Sequence, residues 1–211
     1  MKRYTRLLSL LLTVSMLLSM ALIPVQAAEE DGTVTGSISV TLRIDYAQTL
    51  SALAERNIQM ELRRNGTALG QVALSGTYDG LLKNTYPVQV RLRDVDGGDL
   101  TGEGWPGFAD VTVQALPQGS YELVFTGVGY RSFSQRVDLG ETAQHLILGT
   151  ADDTFTLGDL DGDGKVNTSD RKLVSDALGT DAASCDLNGD GKVDIVDLAY
   201  VTRNASGIVR G

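Results

Sequence analysis

The sequence predicts a mostly β sandwich followed by a small helical module built around two acidic loops. Two observations carry this. Apolar residues recur at every second position through most of the first 150 residues, and a nonapeptide that begins at Asp159 returns almost unchanged 27 residues later. A third feature, an apolar leader, bears on the compartment rather than the fold.

The leader comes first in the chain. Lys2, Arg3 and Arg6 precede an apolar run from Leu7 to Ile23, which ends at Val25-Gln26-Ala27, a small-residue cleavage pattern. We expect residues 1–27 to be a secretory signal peptide, with no membrane insertion after cleavage. No Cys lies near the cleavage site, so no lipidation signal is seen there. Cleavage removes three of 18 basic residues and none of 27 acidic ones, leaving 15 against 27 and a net charge of −12. Such an excess argues against nucleic acid and anionic lipid as partners. The single Cys185 excludes an intramolecular disulfide, and its simplest role is a small apolar residue packed beside a loop.

The strand pattern opens with Val34, Ile38, Val40, Leu42 and Ile44 on one face. It recurs in Ile58, Met60 and Leu62, followed by the turn Asn65-Gly66, then in Val88, Val90 and Leu92, and in Val111 and Val113. Tyr121, Leu123 and Phe125, then Phe133, Gln135, Val137 and Leu139, complete about seven short strands, the signature of a sandwich over residues 28–150. Residues 47–56 break the alternation and fit either a short helix or an ordered loop. Residues 94–108 form a second irregular stretch, where Trp105 and Phe108 are expected to cap one end of the core. The short polar segment 149–156 implies that the sandwich and the module of residues 151–211 lie close together.

The repeat carries the chemistry. Asp159-Leu-Asp-Gly-Asp-Gly-Lys-Val-Asn167 and Asp186-Leu-Asn-Gly-Asp-Gly-Lys-Val-Asp194 are each followed by an acid at position twelve, Asp170 or Asp197. Calcium takes six to eight hard oxygens on a tightly curved backbone, and this spacing supplies them. The expected ligands of two ions are Asp159, Asp161, Asp163, the Lys165 carbonyl, Asn167 and Asp170, then Asp186, Asn188, Asp190, the Lys192 carbonyl, Asp194 and Asp197. Gly164 and Gly191 stand at position six, where the turn is sharpest. Magnesium retains its waters, and transition metals would want His or Cys, whereas the lone His145 is distant in sequence. Neither loop is preceded by a helical pattern. Each is followed by one, marked by Leu173, Val174, Ala177 and Leu178, and by Leu198, Ala199 and Val201.

Loop followed by one helix, twice, with Gly158-Asp159 opening the first loop and Asp at position twelve, closely resembles a type I dockerin over residues 158–206. That resemblance implies attachment to a cohesin domain of a cellulosome-like, polysaccharide-degrading assembly. It also implies partner contacts at Thr168, Ser169, Ser175 and Asp176 in the first repeat and Ile195, Val196, Thr202 and Arg203 in the second. The unequal pairs Thr168-Ser169 and Ile195-Val196 further imply a single docking orientation. The stretch from Leu116 to Leu123, with Gly129-Tyr130, resembles the late strands of carboxypeptidase-regulatory-like and Cna-B-type domains, which implies an Ig-like or prealbumin-like sandwich. The isopeptide crosslink of some Cna-B-like domains is not expected, because Lys83 is the only Lys between residues 28 and 150.

The expectation is therefore a secreted, non-catalytic adaptor. The alternative is a carbohydrate-binding accessory protein, for which Trp105, Tyr78, Tyr86 and Tyr130 are the candidate sugar-stacking residues. A small glycan hydrolase would need two facing carboxylates, and Glu103, Asp110 and Glu122 show no recognisable pairing. Ser-His-Asp catalysis would have only His145, without a G-x-S-x-G turn.

Overall fold

Alternating apolar residues bury one face of each strand and leave the other to water, so two such sheets close on each other. The computed structural model describes residues 35–44, 50–94, 96–98, 100, 106–149 and 155–205. The expected leader, Val34, Glu103, Trp105 and most of the segment joining the two regions lie outside the described residues.

Nine strands form two sheets among those residues. They are β1 (Thr35–Arg43), β2 (Gln59–Arg64), β3 (Thr67–Ala73), β4 (Tyr78–Leu82), β5 (Tyr86–Asp94), β6 (Pro106–Pro117), β7 (Gly119–Thr126), β8 (Phe133–Leu139) and β9 (Gln144–Leu148). One sheet runs β4-β5-β6-β1-β9 and the other β3-β2-β7-β8. All pairings are antiparallel except β1 with β9. Ile38, Val40 and Leu42 of β1, Val88, Val90 and Leu92 of β5, and Ala109, Val111 and Val113 of β6 face Met60, Leu62, Tyr121, Leu123 and Phe125 across the core. The Tyr121 hydroxyl donates to the Pro117 carbonyl at 2.6 Å, tying down the corner between β6 and β7.

Where the sequence left a helix or a loop open, the chain forms a helix, α1 (Leu50–Glu55), with Leu53 fully buried. The expected irregular stretch is shorter than 94–108, because Pro106 to Phe108 already belong to β6. Phe108 does not cap the core. It alternates with buried Gly107 and Ala109, so it stands on the outer side with Asp110, and the Arg93 guanidinium lies over its ring at 5.2 Å. Tyr130 is likewise buried rather than available to a sugar, since its ring stacks on Phe155 at 4.5 Å.

The C-terminal region holds two helices, α2 (Thr168–Asp176) and α3 (Ile195–Ala205), which pack against each other. Each follows its acidic loop, and neither Phe155–Gly158 nor Gly179–Ser184 is helical. The helices' apolar faces are narrower than the sequence suggested. Val174 and Val201 are fully buried, while Leu173, Leu178 and Ala199 are exposed. The fold is thus a two-sheet sandwich followed by a small helical region, and the described residues of both belong to one compact unit.

Candidate metal centre

Acidic loops curl when their own side chains collect the backbone N–H groups of the turn. In the first loop Asp159 Oδ2 accepts from Gly164 N–H at 3.0 Å, Asp161 Oδ1 from Asp163 N–H at 3.1 Å, and Asp163 Oδ1 from Lys165 N–H at 2.8 Å. Position twelve closes the circle. Asp170, with no exposed surface, accepts from Leu160 and Asp161 N–H through Oδ1 and from Asn167 N–H through Oδ2. Asn167 is also the N-cap of α2, its side chain accepting from Ser169 N–H at 2.7 Å, so the loop's last turn is the helix's first.

The second loop repeats this scheme residue for residue. Asp186 Oδ2 accepts from Gly191 N–H at 2.7 Å, Asn188 Oδ1 from Asp190 N–H at 3.0 Å, and Asp190 Oδ1 from Lys192 N–H at 3.0 Å. Asp197, also without exposed surface, accepts from Leu187, Asn188 and Asp194 N–H. Asp194 Oδ1 receives Val196 N–H at 2.7 Å. Gly164 and Gly191 sit at φ +84° and +88°, a conformation in which a side chain is strained, and this is why position six is Gly in both copies.

The two loops differ at position one. Asp186 Oδ1 is engaged by Gly189 and Asp190 N–H, whereas at the buried Asp159 Oδ1 no described N–H reaches full hydrogen-bond geometry, and the Gly162 N–H draws on the carboxylate only weakly. Carboxylate oxygens of Asp159, Asp161 and Asp170 lie within 4.8 Å of one another. Burial pushes the Asp159 carboxyl above its usual range, and the charges of Asp170 and Asp163 push the same way, against the pull of the Gly164 and Gly162 N–H groups. A buried, weakly bonded oxygen within an all-oxygen cluster of repelling carboxylates fits a hard divalent cation. Bound there, the cation would supply the missing counter-charge and coordinate oxygens that would otherwise repel.

The expected partner-binding residues are mostly at the surface. Thr168, Ser169, Ser175 and Asp176 are exposed, and Asp176 pairs with Lys172 one turn earlier in α2. In the second repeat Ile195 is 69% and Val196 40% exposed, so both offer apolar surface to a partner. Thr202 Oγ1 donates to the Leu198 carbonyl at 2.6 Å, and the Arg203 guanidinium lies over the Tyr200 ring at 5.5 Å. Of the candidate acids of the sandwich, the two among the described residues, Asp110 and Glu122, do not face each other. Asp110 points outward from one sheet, bonded to Thr41 and Arg93, and Glu122 points outward from the other, near Arg63. His145 is exposed on the edge strand β9, and Cys185 is buried with its thiol directed at the Leu173 carbonyl. Tyr78 is exposed and Tyr86 half-buried. Among the described residues no helix is long and apolar enough to cross a membrane.

These features define a class, a sandwich carrying a duplicated module of one acidic loop and one helix per repeat. Residues 157–205 match the family described as the dockerin type I domain. No curated protein matches the chain. Similar solved structures include a C-terminal and an N-terminal interface mutant of a type II cohesin–X-dockerin complex from Acetivibrio cellulolyticus. They have 16% and 15% sequence identity, both at a TM-score of 0.45, and each match covers 81% of this chain and 95% of that one.

Proposed function

We propose that the chain is an exported, non-catalytic protein that attaches through residues 157–205, folded around two calcium ions, to a cohesin domain of a cellulosome-type assembly. The observation that carries this reading is the residue-for-residue repetition of the loop hydrogen bonds within the segment that matches the dockerin family. The ligands are the twelve loop residues named from the sequence, with the Lys165 and Lys192 side chains exposed and only their carbonyls turned to use. Calcium shapes the module, and the exposed residues at positions ten and eleven of each loop, above all Ile195 and Val196, meet the cohesin.

The test is binding of the full chain to cohesin domains, with and without a calcium chelator. Capture that needs calcium and is lost on substituting both Ile195 and Val196 supports the reading. Capture indifferent to chelator, or none by any cohesin of the source organism, opposes it.

A further inference from the structure

Both loops start against the sandwich. The turn of residues 127–130 offers the Gly129 carbonyl to two N–H donors at once, Gly158 at 2.7 Å and Asp159 at 3.0 Å, so the backbone of position one in the first loop hangs from β-sandwich backbone. Position one of the second loop is held from the same side. The Arg56 guanidinium, on a residue only 8% exposed, donates to the Asp186 carbonyl. Arg56 is itself fixed to that turn, since its carbonyl accepts from Val128 N–H at 2.6 Å. Gly129 is at φ +75°, and a Cβ placed there would meet Arg56 NH1 at 3.3 Å and the side chains of Leu157 and Leu160 at 3.5 Å. One Arg and one Gly turn therefore grip the first residue of both loops.

On the reading of these loops as calcium sites, we propose that Arg56 is a positioning residue for the second site and, with the Gly129 turn, couples calcium binding to the folded sandwich. The Asp186 carboxylate is already set by three backbone N–H groups. The Arg56 bond fixes the main chain on its other side, so the carboxylate cannot swing away as a unit with its backbone. Coupling of this kind is reciprocal: a sandwich that presets the loop strengthens calcium binding, and calcium stabilises the sandwich in return. The sign of the effect is diagnostic. A guanidinium near a cation site opposes the cation by charge alone, so removing it would tighten binding if charge were its only effect, and weaken binding if it positions the loop.

Calcium titration of the full chain by calorimetry, paired with thermal unfolding, tests this. Arg56→Met keeps a buried stem and removes the donors. It should weaken one of two sites by roughly 10-fold, as loss of an outer hydrogen bond to a metal site does, and reduce the calcium-induced rise in the sandwich's unfolding temperature. Arg56→Lys should recover part of both, and Arg64→Met, at the far end of β2 and bonded to Gln118, should change neither. If Arg56→Met does not fold, Arg56→Lys carries the test, with a partial loss expected at one site only. Unchanged or tighter binding in a folded Arg56 variant overturns the proposal while leaving the calcium reading in place. No calcium uptake by the unmodified chain overturns both.

Discussion

The acids of each loop do two different jobs. Asp170 and Asp197 are buried and each accepts three backbone N–H groups, so they are structural before any cation arrives. Asp170→Asn or Asp197→Asn replaces an acceptor with a donor facing N–H groups, and should cost about 1–3 kcal/mol of stability even in chelator, read by denaturant unfolding. Asp161→Ala removes an exposed carboxylate with one bond, and should leave stability in chelator unchanged while weakening calcium uptake. Asp159 adds a dependence on pH. Its folded pKa lies above the ordinary value, so its contribution to metal-free stability is present below the unfolded pKa and is lost as pH rises through the folded one. Calcium must displace that proton, so affinity at the first loop should begin to fall, on acidification, at a higher pH than an ordinary Asp would set; a calcium titration series across pH checks this. The spacing of the loops was legible because liganding, turn-making and capping all select Asp, Asn and Gly at the same positions. The asymmetry between Asp159 and Asp186 was not, since identical residues receive different N–H groups only in three dimensions. Arg56 escaped notice for a similar reason, because its partner lies 130 residues away.

At the scale of elements, α2 and α3 are short, with 9 and 11 residues, and the only fully buried side chains in them are Asp170 and Val174, and Asp197 and Val201. Helices of that length do not persist in water unaided, so they depend on the loops that cap them. Chelation of the full chain should therefore reduce the helical circular dichroism signal, and an unchanged helical spectrum would contradict calcium-dependent folding. The strands tell a complementary story. Those with clean alternation, such as β1, β5 and β7, were readable because burial on one face imposes a period of two. The strand β4 was not, because Tyr78-Asp-Gly-Leu-Leu82 at a sheet edge buries only Leu82 and needs no alternation. The short edge strand β9 was hard to read for another reason: Leu146 and Leu148 turn to the core with the exposed Ile147 between them, so three consecutive apolar residues hide the period.

For the whole molecule, the question is how a module with internal repetition presents itself to one partner. Two repeats with matching loops could dock in either of two orientations related by a half-turn, provided their contact residues match. Here they do not. Positions ten and eleven are Thr168-Ser169 in one repeat and Ile195-Val196 in the other, and all four are exposed. Further along, Asp176 is paired with Lys172, which blunts its charge, while Arg203 lies over Tyr200. The second repeat thus presents an apolar contact, and the first a hydroxyl-rich one, while the Arg203 guanidinium is largely buried. Burying Ile195 and Val196 in a cohesin interface could contribute roughly 3–6 kcal/mol before the costs of association, more than two hydroxyl side chains can return for the same area. Replacing both Ile195 and Val196 by Asp should abolish binding while calcium-dependent folding survives, because neither residue belongs to the buried core. Replacing both Thr168 and Ser169 by Asp should cost much less. Calorimetry against the native cohesin distinguishes the alternatives: a large loss from the first pair alone supports one orientation, and equal losses from the two double variants would rule it out.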